Sequence, residues 1–524
     1  MSQYKFEHEK FVTGHNGTTF QEIGALTSIP CVGCFARGVV LLFVADGLAT
    51  KNGLFLLDFL TLVMPSVISV TLMSDFIIHN TLIIFIFSAL TYIYLNKKNV
   101  REYRYALQRA NLQDQKAFIS WYRSLVNLMT ALAILAVDFP VFPRRLAKSE
   151  TYGFGGMDNG VGFFVIANAI VSPEARGKHI QRPIYTQLKH CVVGCVPLLL
   201  LGLGRLLAVK ATDYHEHITE YGVHWNFFFT LAALKLMSTL VFSVVNVDKS
   251  LVIGLAVTTM HQILLSTCGL SHYIMHGFSG TGIRTGILDA NREGILSIPG
   301  YLAIYSFGVA LGRFLFQKRE NLIAWLDAAK SMFCVVLACT AVMVTLHAYV
   351  EQVSRRLANA TFVFWIVGNG CLMLLECLLA EIAITCAKWA RENHQPADPQ
   401  QPLQQTYPKH SHEMLARPGL HSSNFLVQNC KGEAEVPDTH SARDTDKPRA
   451  EAKHPTNGCL LDAISYNALM FFLAANVMTG LVNMSMRTMY ASNTTAVIVI
   501  ISYLFVLCLV FVMLRRKNVY TKIW

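Results

Sequence analysis

The sequence predicts an all-α polytopic membrane protein of about 13 transmembrane helices with a large disordered loop near its C-terminal end. Hydrophobic residues make up 53% of the 524 residues and charged residues only 15%, and the mean hydropathy is +0.40. Apolar stretches of about 20 residues, the length that crosses a bilayer as a helix, recur along the chain. These observations exclude an ordinary soluble enzyme and favour a single membrane domain.

The apolar stretches place the individual helices. A window of about 20 residues predicts spans near residues 25–46, 53–73, 77–95, 121–139, 159–172, 190–209, 224–246, 250–268, 294–317, 327–350, 361–388, 465–484 and 492–514. The span at 159–172 is short and rich in glycine, which predicts a tilted or broken helix. An odd number of spans places the two termini on opposite sides of the membrane.

Orientation follows from the lysines and arginines of the short loops, which account for much of the net charge of +11 and indicate topology rather than nucleic-acid binding. The loop between the third and fourth spans should be cytoplasmic, because it holds Lys97, Lys98, Arg101, Arg104, Arg109 and Lys116. Alternation places three more basic clusters on that side: Arg176, Lys178, Arg182 and Lys189; Lys318 and Arg319; Arg515, Arg516, Lys517 and Lys522. The N-terminus is then lumenal, with a weak glycosylation sequon at Asn16, and the C-terminus cytoplasmic.

The chain divides into one membrane domain and one loop. Residues 391–460 replace apolar runs with histidine, glutamine, proline and charged residues, which predicts a disordered cytoplasmic loop, more simply a solvated linker than a regulatory segment. Residues 1–390 and 461–524 form the two parts of the transmembrane domain. The polar segment Met1–Gly24 predicts no cleavable signal peptide, so the first span serves as the insertion signal.

Cysteines and histidines give little support for a metal. The 13 cysteines are an odd number and many lie in apolar runs, so no disulfide framework is implied. Cys31 and Cys34 form a lone C-x-x-C, better read as small residues on a membrane helix than as zinc ligands. His215, Glu216 and His217 lack the helical spacing of known zinc motifs. No metal site is predicted.

A first polar block, residues 136–162, lies on the non-cytoplasmic side of the predicted topology. Asp138 ends an apolar helix, where a carboxylate is costly unless paired or hydrated. Pro140 and Pro143 turn the chain back, so that Arg144, Arg145 and Lys148 can face the carboxylate or a bound phosphate. Asp138 and Lys148 could form a catalytic pair, and a structural ion pair explains them equally well.

Two further polar blocks fall on the same side. In residues 213–230, His224, Trp225 and Asn226 fit a polar rim that orients a lipid headgroup, or an aromatic belt at the membrane interface. Residues 280–294 form a glycine-rich loop before a helix beginning near Asn291, where Arg284 or Arg292 could hold a phosphate. The loop lacks the Walker motif, so nucleotide hydrolysis is not expected.

These blocks resemble one family. Residues 136–148 with Tyr152-Gly153 and Met157-Asp158, residues 216–230, and residues 288–295 closely resemble the glycosylphosphatidylinositol (GPI)-anchor inositol acyltransferase family, PIG-W. The resemblance implies an enzyme of the endoplasmic reticulum membrane that transfers a palmitoyl group from acyl-CoA to the inositol 2-hydroxyl of glucosaminyl-phosphatidylinositol. It also implies that the acidic residue and the lysine ten positions on, here Asp138 and Lys148, are catalytic.

The chemistry of acyl transfer assigns roles to the remaining residues. A base must take the hydroxyl proton and a cation or hydrogen-bond donor must stabilise the oxyanion, which suits Asp138 and Lys148 respectively. The expected substrate-binding residues are Arg144, Arg145 and Arg292 for phosphates, Asn226 and Asn291 for sugar or inositol hydroxyls, and Asp158, His224 and Trp225. Acyl-CoA is a co-substrate, and no bound cofactor is expected; protein partners remain open.

Two other classes of function stay open at this point. A lipid transporter or translocase would explain the intramembrane charges Arg205, Lys235, Glu376 and Glu381, although no inverted repeat is visible. A non-catalytic scaffold would leave the clustered Asp138 and Lys148 without a purpose. One tension accompanies the enzyme hypothesis, because acyl-CoA is cytoplasmic and the polar blocks are predicted on the lumenal face.

Overall fold

A computed structural model describes residues 3–44, 50–97, 100–112, 116–177, 183–211, 218–278, 280, 282–393 and 459–521. Nearly all of the predicted disordered loop, as well as His215, Glu216 and His217, lies outside these residues. The regular elements that it describes are helices, together with one isolated antiparallel bridge between Thr18 and Phe154.

The helices before the middle of the chain are α1 (Gln3–Val12), α2 (Phe20–Phe43), α3 (Lys51–Asp58), α4 (Met64–Val70), α5 (Ile77–Asn96), α6 (Val100–Arg109), α7 (Ala117–Ala136), α8 (Asn159–Ala169), α9 (Ile184–Ala211), α10 (Ile218–Tyr221) and α11 (Phe227–Val244). A π-helical turn, Phe59–Val63, joins α3 to α4. The later helices are α12 (Ser250–Thr267), α13 (Leu270–His276), α14 (Gly286–Ala290), α15 (Arg292–Leu296), α16 (Ile298–Leu315), α17 (Leu322–Tyr349), α18 (Ala360–Glu392), α19 (Leu460–Tyr466), α20 (Ala468–Ser485) and α21 (Asn493–Arg516).

The predicted all-α membrane architecture is confirmed. Within the described residues, 12 helical stretches are long and apolar enough to cross a membrane. They correspond in order to every predicted span except 159–172. That segment contains α8, which has only 11 residues.

Side-chain caps fix where several spans begin. The Asn226 side chain accepts hydrogen bonds from the backbone N–H groups of Phe228 and Phe229 at the start of α11. Asn321, Asn359 and Ser492 cap α17, α18 and α21 in the same way. Such caps satisfy backbone donors that have no partner inside the helix, which matters most where water is scarce.

Contacts between loops define the two ends of the bundle. At one end, Lys148 contacts Glu220, the His224 N–H donates to Asn291, and the Gly153 N–H donates to the Val353 carbonyl. We call this end the loop-rich face; it comprises the described residues of the connections 137–158, 218–226, 268–278 with 282–297, and 350–359. The three predicted polar blocks therefore do lie together, and the 350–359 connection joins them.

The short helix α8 connects the two ends. Lys148 lies on the loop-rich face, whereas Arg176 packs over the ring of Phe316, which also contacts Lys116 at the other end. An 11-residue helix is about 16 Å long, roughly half of a hydrocarbon layer of about 30 Å. The chain therefore crosses the bundle here with a short helix surrounded by α7, α16 and α18.

Helix α18 forms the centre of the bundle. In its most apolar 18-residue window 78% of the residues are buried, against 17% in the corresponding window of α9. It packs against α2, α7, α8, α16 and α17. Peripheral helices such as α5 and α9 instead present apolar side chains outward, as lipid-facing helices do.

Candidate active site

The connection between α7 and α8 is recessed into the bundle. Gly156 lies against Leu26, and the Phe154 ring lies 5.0 Å from that of Trp365 between centroids. Leu26 is about 9 Å along α2 from its first residue, at 1.5 Å per residue, and Trp365 is about 7.5 Å along α18. The polar loop therefore sits beneath the helix ends.

Asp158 closes this loop. Its Oδ2 accepts hydrogen bonds from the Ser149 N–H (3.0 Å), the Ser149 hydroxyl (2.6 Å) and the Gly155 N–H (3.2 Å). Its Oδ1 accepts from Arg355 Nε at 2.8 Å. The side chain is fully buried. Sequence reasoning assigned Asp158 to substrate binding; in the structure its oxygens tie the two ends of the loop together.

Lys148 belongs to the same network of charges. Its Nζ donates to Glu220 Oε2 at 2.6 Å, and Glu220 Oε1 lies 3.6 Å from Arg355 Nη1. Burial acts to lower the pKa of Arg355, but the carboxylates of Glu220 and Asp158 outweigh it and raise that pKa. Burial raises the pKa of Asp158, while Arg355 and Ser149 oppose that rise. Lysine, arginine and two carboxylates thus form one chain of ion pairs.

Asp138 lies in a different environment from Lys148. It is 1% exposed, accepts a hydrogen bond from Asn483 Nδ2 at 2.7 Å, and faces His8 Nε2 at 3.6 Å. Burial and the positive charge of Arg144 lower the pKa of His8, so that this imidazole is neutral at neutral pH. Among the ion pairs of the described residues, Lys148 is paired with Glu220, and the structure does not bring Asp138 and Lys148 together.

The two arginines after Asp138 bind protein groups. Arg144 donates to the carbonyls of Val137, Phe139 and Phe142 at 2.7–3.1 Å and lies 4.1 Å above the ring of Phe11. Burial lowers its pKa to about 10, although Asp138 acts in the opposite direction.

Arg145 contacts two carboxylates, those of Glu22 at 3.1 Å and Asp75 at 3.0 Å. It therefore joins the start of α2 to the short turn that precedes α5. Phosphate binding by Arg144 or Arg145 stays a prediction, and it requires these contacts to open.

A cavity of about 180 Å³ lies beside the recessed loop. Its polar side includes Lys148, Asn159, Arg205, Glu220 and Arg355. Its apolar side is formed by side chains of α7, α8, α11, α18 and α20, among them Val126, Met129, Phe163, Phe164, Phe227, Met373 and Phe472. Val126 is about 15 Å along α7 from its C-terminal end, so the cavity reaches the middle of the bundle.

The cavity is open on the side of the bundle. Arg205 on α9 and Asn476 on α20 both line it and are both exposed. Arg205 lies about 9 Å from the C-terminal end of α9, and no ion pair to it occurs within the described part of the chain. An exposed arginine within a membrane span is costly unless it meets water, a headgroup or a ligand.

The residues around α11 and α14–α15 hold loops together. Asn226 caps α11 and donates to the Gly202 carbonyl at 2.9 Å, while Trp225 Nε1 donates to Thr230 at 2.9 Å. Asn291 accepts from the His224 N–H and donates to the Ile287 carbonyl, both at 2.8 Å. The His224 side chain is exposed. Roles in sugar binding for Asn226 and Asn291 stay predictions, because their amides are engaged here.

Arg292 is part of a closed cluster of buried charges. It donates to the Ile274 carbonyl at 3.0 Å and to Asp289 at 3.1 Å, and it is 1% exposed. Glu293, also buried, accepts from Arg284 at 2.7 and 2.8 Å and from Arg356 at 2.8 Å. We call Arg284, Asp289, Arg292, Glu293 and Arg356 the Glu293 cluster. Phosphate binding by Arg292 stays a prediction that this geometry does not favour.

Sequence reasoning did not single out Arg355, Asn159 or Arg205 as site residues. Arg355 and Arg356 lie next to each other in a loop that alternation of the spans places on the non-cytoplasmic side. Basic residues are usually concentrated in cytoplasmic loops, so this exception is the sequence signal that points to a special role for the pair. Arg205 is a single arginine in an apolar run. No local sequence pattern distinguishes Asn159, because its position beside the cavity depends on the tertiary structure.

No group of three or more histidine, cysteine, aspartate or glutamate side chains within the described ranges could hold a metal ion. The histidines at 215 and 217 are outside those ranges. Cys31 and Cys34 lie buried on α2, and Cys31 Sγ is 3.8 Å from Cys377 Sγ on α18.

Comparisons with known proteins extend over nearly the whole chain. The GWT1 family model matches residues 4–514. The chain is 34% identical to a glucosaminyl-phosphatidylinositol-acyltransferase of Bos taurus over the full length of both proteins. It is 32% identical to that of Mus musculus, again over both full lengths, and 33% identical to that of Homo sapiens over 98% of this chain and 99% of the relative. The chain therefore belongs to the GWT1 family of multi-pass membrane proteins, as the resemblance of its polar blocks implies.

Proposed function

We propose that this protein is an O-acyltransferase of GPI-anchor biosynthesis that moves a fatty acyl group, palmitoyl in the typical case, from acyl-CoA to the inositol 2-hydroxyl of glucosaminyl-phosphatidylinositol. Its relatives named as glucosaminyl-phosphatidylinositol acyltransferases support the reaction and the acceptor. The single structural observation that carries the proposal is the cavity, which joins a charged end at Lys148 to an apolar floor.

The shape of the cavity suits two lipid substrates. An acyl chain needs an apolar groove, which Val126, Phe163 and Phe472 provide. A membrane-embedded acceptor needs a side opening, which lies between Arg205 and Asn476. Arg205 is then placed to bind the phosphate of the inositol lipid, because guanidinium groups match phosphate oxygens in charge and geometry.

The proposed reaction follows the chemistry of ester formation. The inositol hydroxyl loses its proton to Asp138 as its oxygen forms a bond to the thioester carbonyl carbon. Lys148, which lines the cavity, stabilises the negative charge that develops on the carbonyl oxygen. The C–S bond then breaks, the carbonyl re-forms, and the CoA thiolate leaves and takes up a proton.

The proposed role of Asp138 requires a movement. Phe142 and Leu146 of the turn that follows Asp138 line the cavity, while Asp138 itself is 1% exposed and does not. For the carboxylate to reach the hydroxyl, the turn held by Arg144 must shift. Lys148 needs no such movement, since its ammonium group already adjoins the cavity.

We place the protein in the endoplasmic reticulum membrane, with the N-terminus lumenal and the C-terminus cytoplasmic. The cavity supports a route for a cytoplasmic donor to a lumenal-side site, because it extends about 15 Å inward from the end of α7. The thioester can then meet Lys148 within the bundle rather than at the lumenal surface.

Three of the four intramembrane charges that favoured a transporter have structural partners, and the fourth, Arg205, lines the cavity. Lys235 donates to the Gly194 carbonyl at 2.9 Å, and Glu376 accepts from Ser28 at 2.6 Å. Glu381 accepts from the N–H groups of Ala117 and Phe118, the first residues of α7. Helix packing and capping account for these three side chains, which weakens the support for the transporter alternative.

The test is acyl transfer from labelled palmitoyl-CoA to glucosaminyl-phosphatidylinositol by the purified protein, with the Asp138→Asn variant assayed beside it. We expect product from the wild type and none from the folded variant. Absence of product from folded wild type would contradict the enzyme proposal. Retained turnover in Asp138→Asn would contradict only the role of Asp138 as the base.

A further inference from the structure

Asn159 is a buried polar side chain without a partner. It is 2% exposed, and neither its Oδ1 nor its Nδ2 has a hydrogen bond within the described part of the chain. A buried amide left in this state costs about 1–3 kcal/mol. Asn159 is among the residues that line the cavity, but its two amide atoms are themselves shielded, so a molecule bound there reaches them only when the side chain turns toward the cavity.

The Asp158 clamp places Asn159 beside Lys148. Asp158 binds both the N–H and the hydroxyl of Ser149. Lys148 precedes Ser149 and Asn159 follows Asp158, so both residues adjoin the contact that closes the loop. Both line the cavity, together with Gly160. One cation and one amide thus adjoin the same space.

The start of α8 adds to this arrangement. Asn159 is the first residue of an 11-residue helix. A Cβ atom placed on Gly160 would meet no other atom within 4 Å, so the wall of the first turn is open. The N-terminal turn of a helix carries partial positive charge, and such ends favour developing negative charge.

We propose that Asn159 is a catalytic residue whose side-chain amide, together with Lys148, binds the carbonyl oxygen of the acyl donor and stabilises the oxyanion. This inference rests on the proposed acyl transfer. As the inositol oxygen bonds to the carbonyl carbon, the carbonyl π electrons move onto oxygen, where Asn159 Nδ2 donates a hydrogen bond. When the C–S bond breaks, those electrons re-form the carbonyl and the sulfur leaves with its electron pair.

The first experiment compares Asn159→Ala with wild type in the acyl transfer assay. Loss of one oxyanion donor typically lowers kcat by about 100-fold to 1,000-fold, and we expect a loss in that range. The unfolding temperature of the variant should not fall, because the Asn159 amide makes no hydrogen bond within the described part of the protein. A fall in stability together with unchanged kcat would overturn the proposal and indicate a structural role.

Asn127 provides a matched control. It is a buried asparagine on α7 whose Oδ1 also has no partner within the described residues, but it is not among the residues that line the cavity. We expect Asn127→Ala to keep the wild-type kcat. An equal loss in both variants would show that any buried asparagine here supports activity, and the specific role of Asn159 would be refuted.

A binding measurement separates this inference from the proposed function. Wild type and Asn159→Ala are titrated with palmitoyl-CoA and with its thioether analogue, which lacks the carbonyl oxygen. Wild type should prefer palmitoyl-CoA, and the variant should lose that preference. Equal discrimination by both proteins would contradict the assignment of Asn159. Failure of folded wild type to transfer acyl groups in the first assay would instead refute the proposed function.

Discussion

The loop-rich face contains two groups of buried charges that look alike in composition but differ in bonding. In the Glu293 cluster, each carboxylate is met by guanidinium or backbone donors, although the buried Arg356 Nε has no partner within the described residues. Beside the cavity, Lys148 is 29% exposed at its side chain, and Asn159 has no partner within the described residues. Charged residues in a loop near the membrane can therefore serve the fold alone, and the groups beside the cavity are the ones with both space and unused hydrogen-bonding capacity for a ligand.

The largest effect should come from opening the closed cluster. Replacing Glu293 with Gln leaves the half-buried Arg284 and the buried Arg356 without their carboxylate, and breaking a buried ion pair in this way costs about 3–5 kcal/mol. Thermal unfolding in detergent should show a marked loss of stability. Asp327→Asn is the control, because its ion pair with Lys330 is exposed on both sides. If the Glu293→Gln variant were stable but inactive, the Glu293 cluster would have to be assigned to the catalytic site.

A loss of similar size, but in turnover, is expected at the cavity. Lys148→Met should lower kcat by about 100-fold to 1,000-fold, or about 2.7–4 kcal/mol, because it removes the cation that we propose stabilises the developing oxyanion. Its unfolding temperature should change little, since Lys148 is partly exposed. Lys330→Met serves as the control for loss of a lysine. If Lys148→Met kept turnover within threefold of wild type, the proposed difference between the Glu293 cluster and the residues beside the cavity would be contradicted.

A smaller effect should appear at the side opening. Arg205→Gln removes the proposed phosphate contact and should raise the KM for the lipid acceptor about tenfold, which corresponds to the lower limit of 1.5 kcal/mol for a charge-assisted hydrogen bond. The KM for acyl-CoA should stay the same. Lys235→Gln, on the neighbouring helix, should alter neither KM. If the KM for the lipid acceptor were unchanged in Arg205→Gln, the phosphate of that lipid would have to bind at another residue.

The smallest effect concerns pH. Burial and Arg144 lower the pKa of His8 below 6.5, and Asp138 also faces the ring. The unfolded chain therefore binds this proton at a higher pH than the folded chain does. The stability from neutral His8 is complete above about pH 6.5 and is lost as the pH falls below it. The unfolding temperature, measured at several pH values, should fall less at acid pH in His8→Gln than in the wild type. Identical pH profiles for the two proteins would contradict this role of His8.

The membrane architecture could be predicted from the sequence because each span is a local property of about 20 apolar residues. The weak span at 159–172 was recognisable by its length and glycines, and it became the short helix α8. The grouping of the three polar blocks was also predictable, since alternation of spans places them on one side. Their contacts at Lys148 and Asn291 confirm that grouping.

Which residues of those blocks hold the loops together and which line the cavity could not be predicted. Arg292 and Asn291 follow a glycine-rich loop at a helix start, a pattern typical of phosphate sites, yet both side chains are engaged by the protein. Arg355 comes from a loop some 200 positions after Asp158, and only the fold brings the two together at 2.8 Å. Whether a polar atom is satisfied depends on such distant partners.

Helix α8 also has a consequence for how the protein is made. Only Asn168 of its 11 residues is exposed, and its neighbours include α16 and α18, which are synthesised much later. So short a segment is a poor independent signal for membrane insertion, because it falls well below the length of a spanning helix. The ribosome must therefore have made α18 before this crossing acquires its final surroundings, so that assembly of the cavity is a late event in biogenesis.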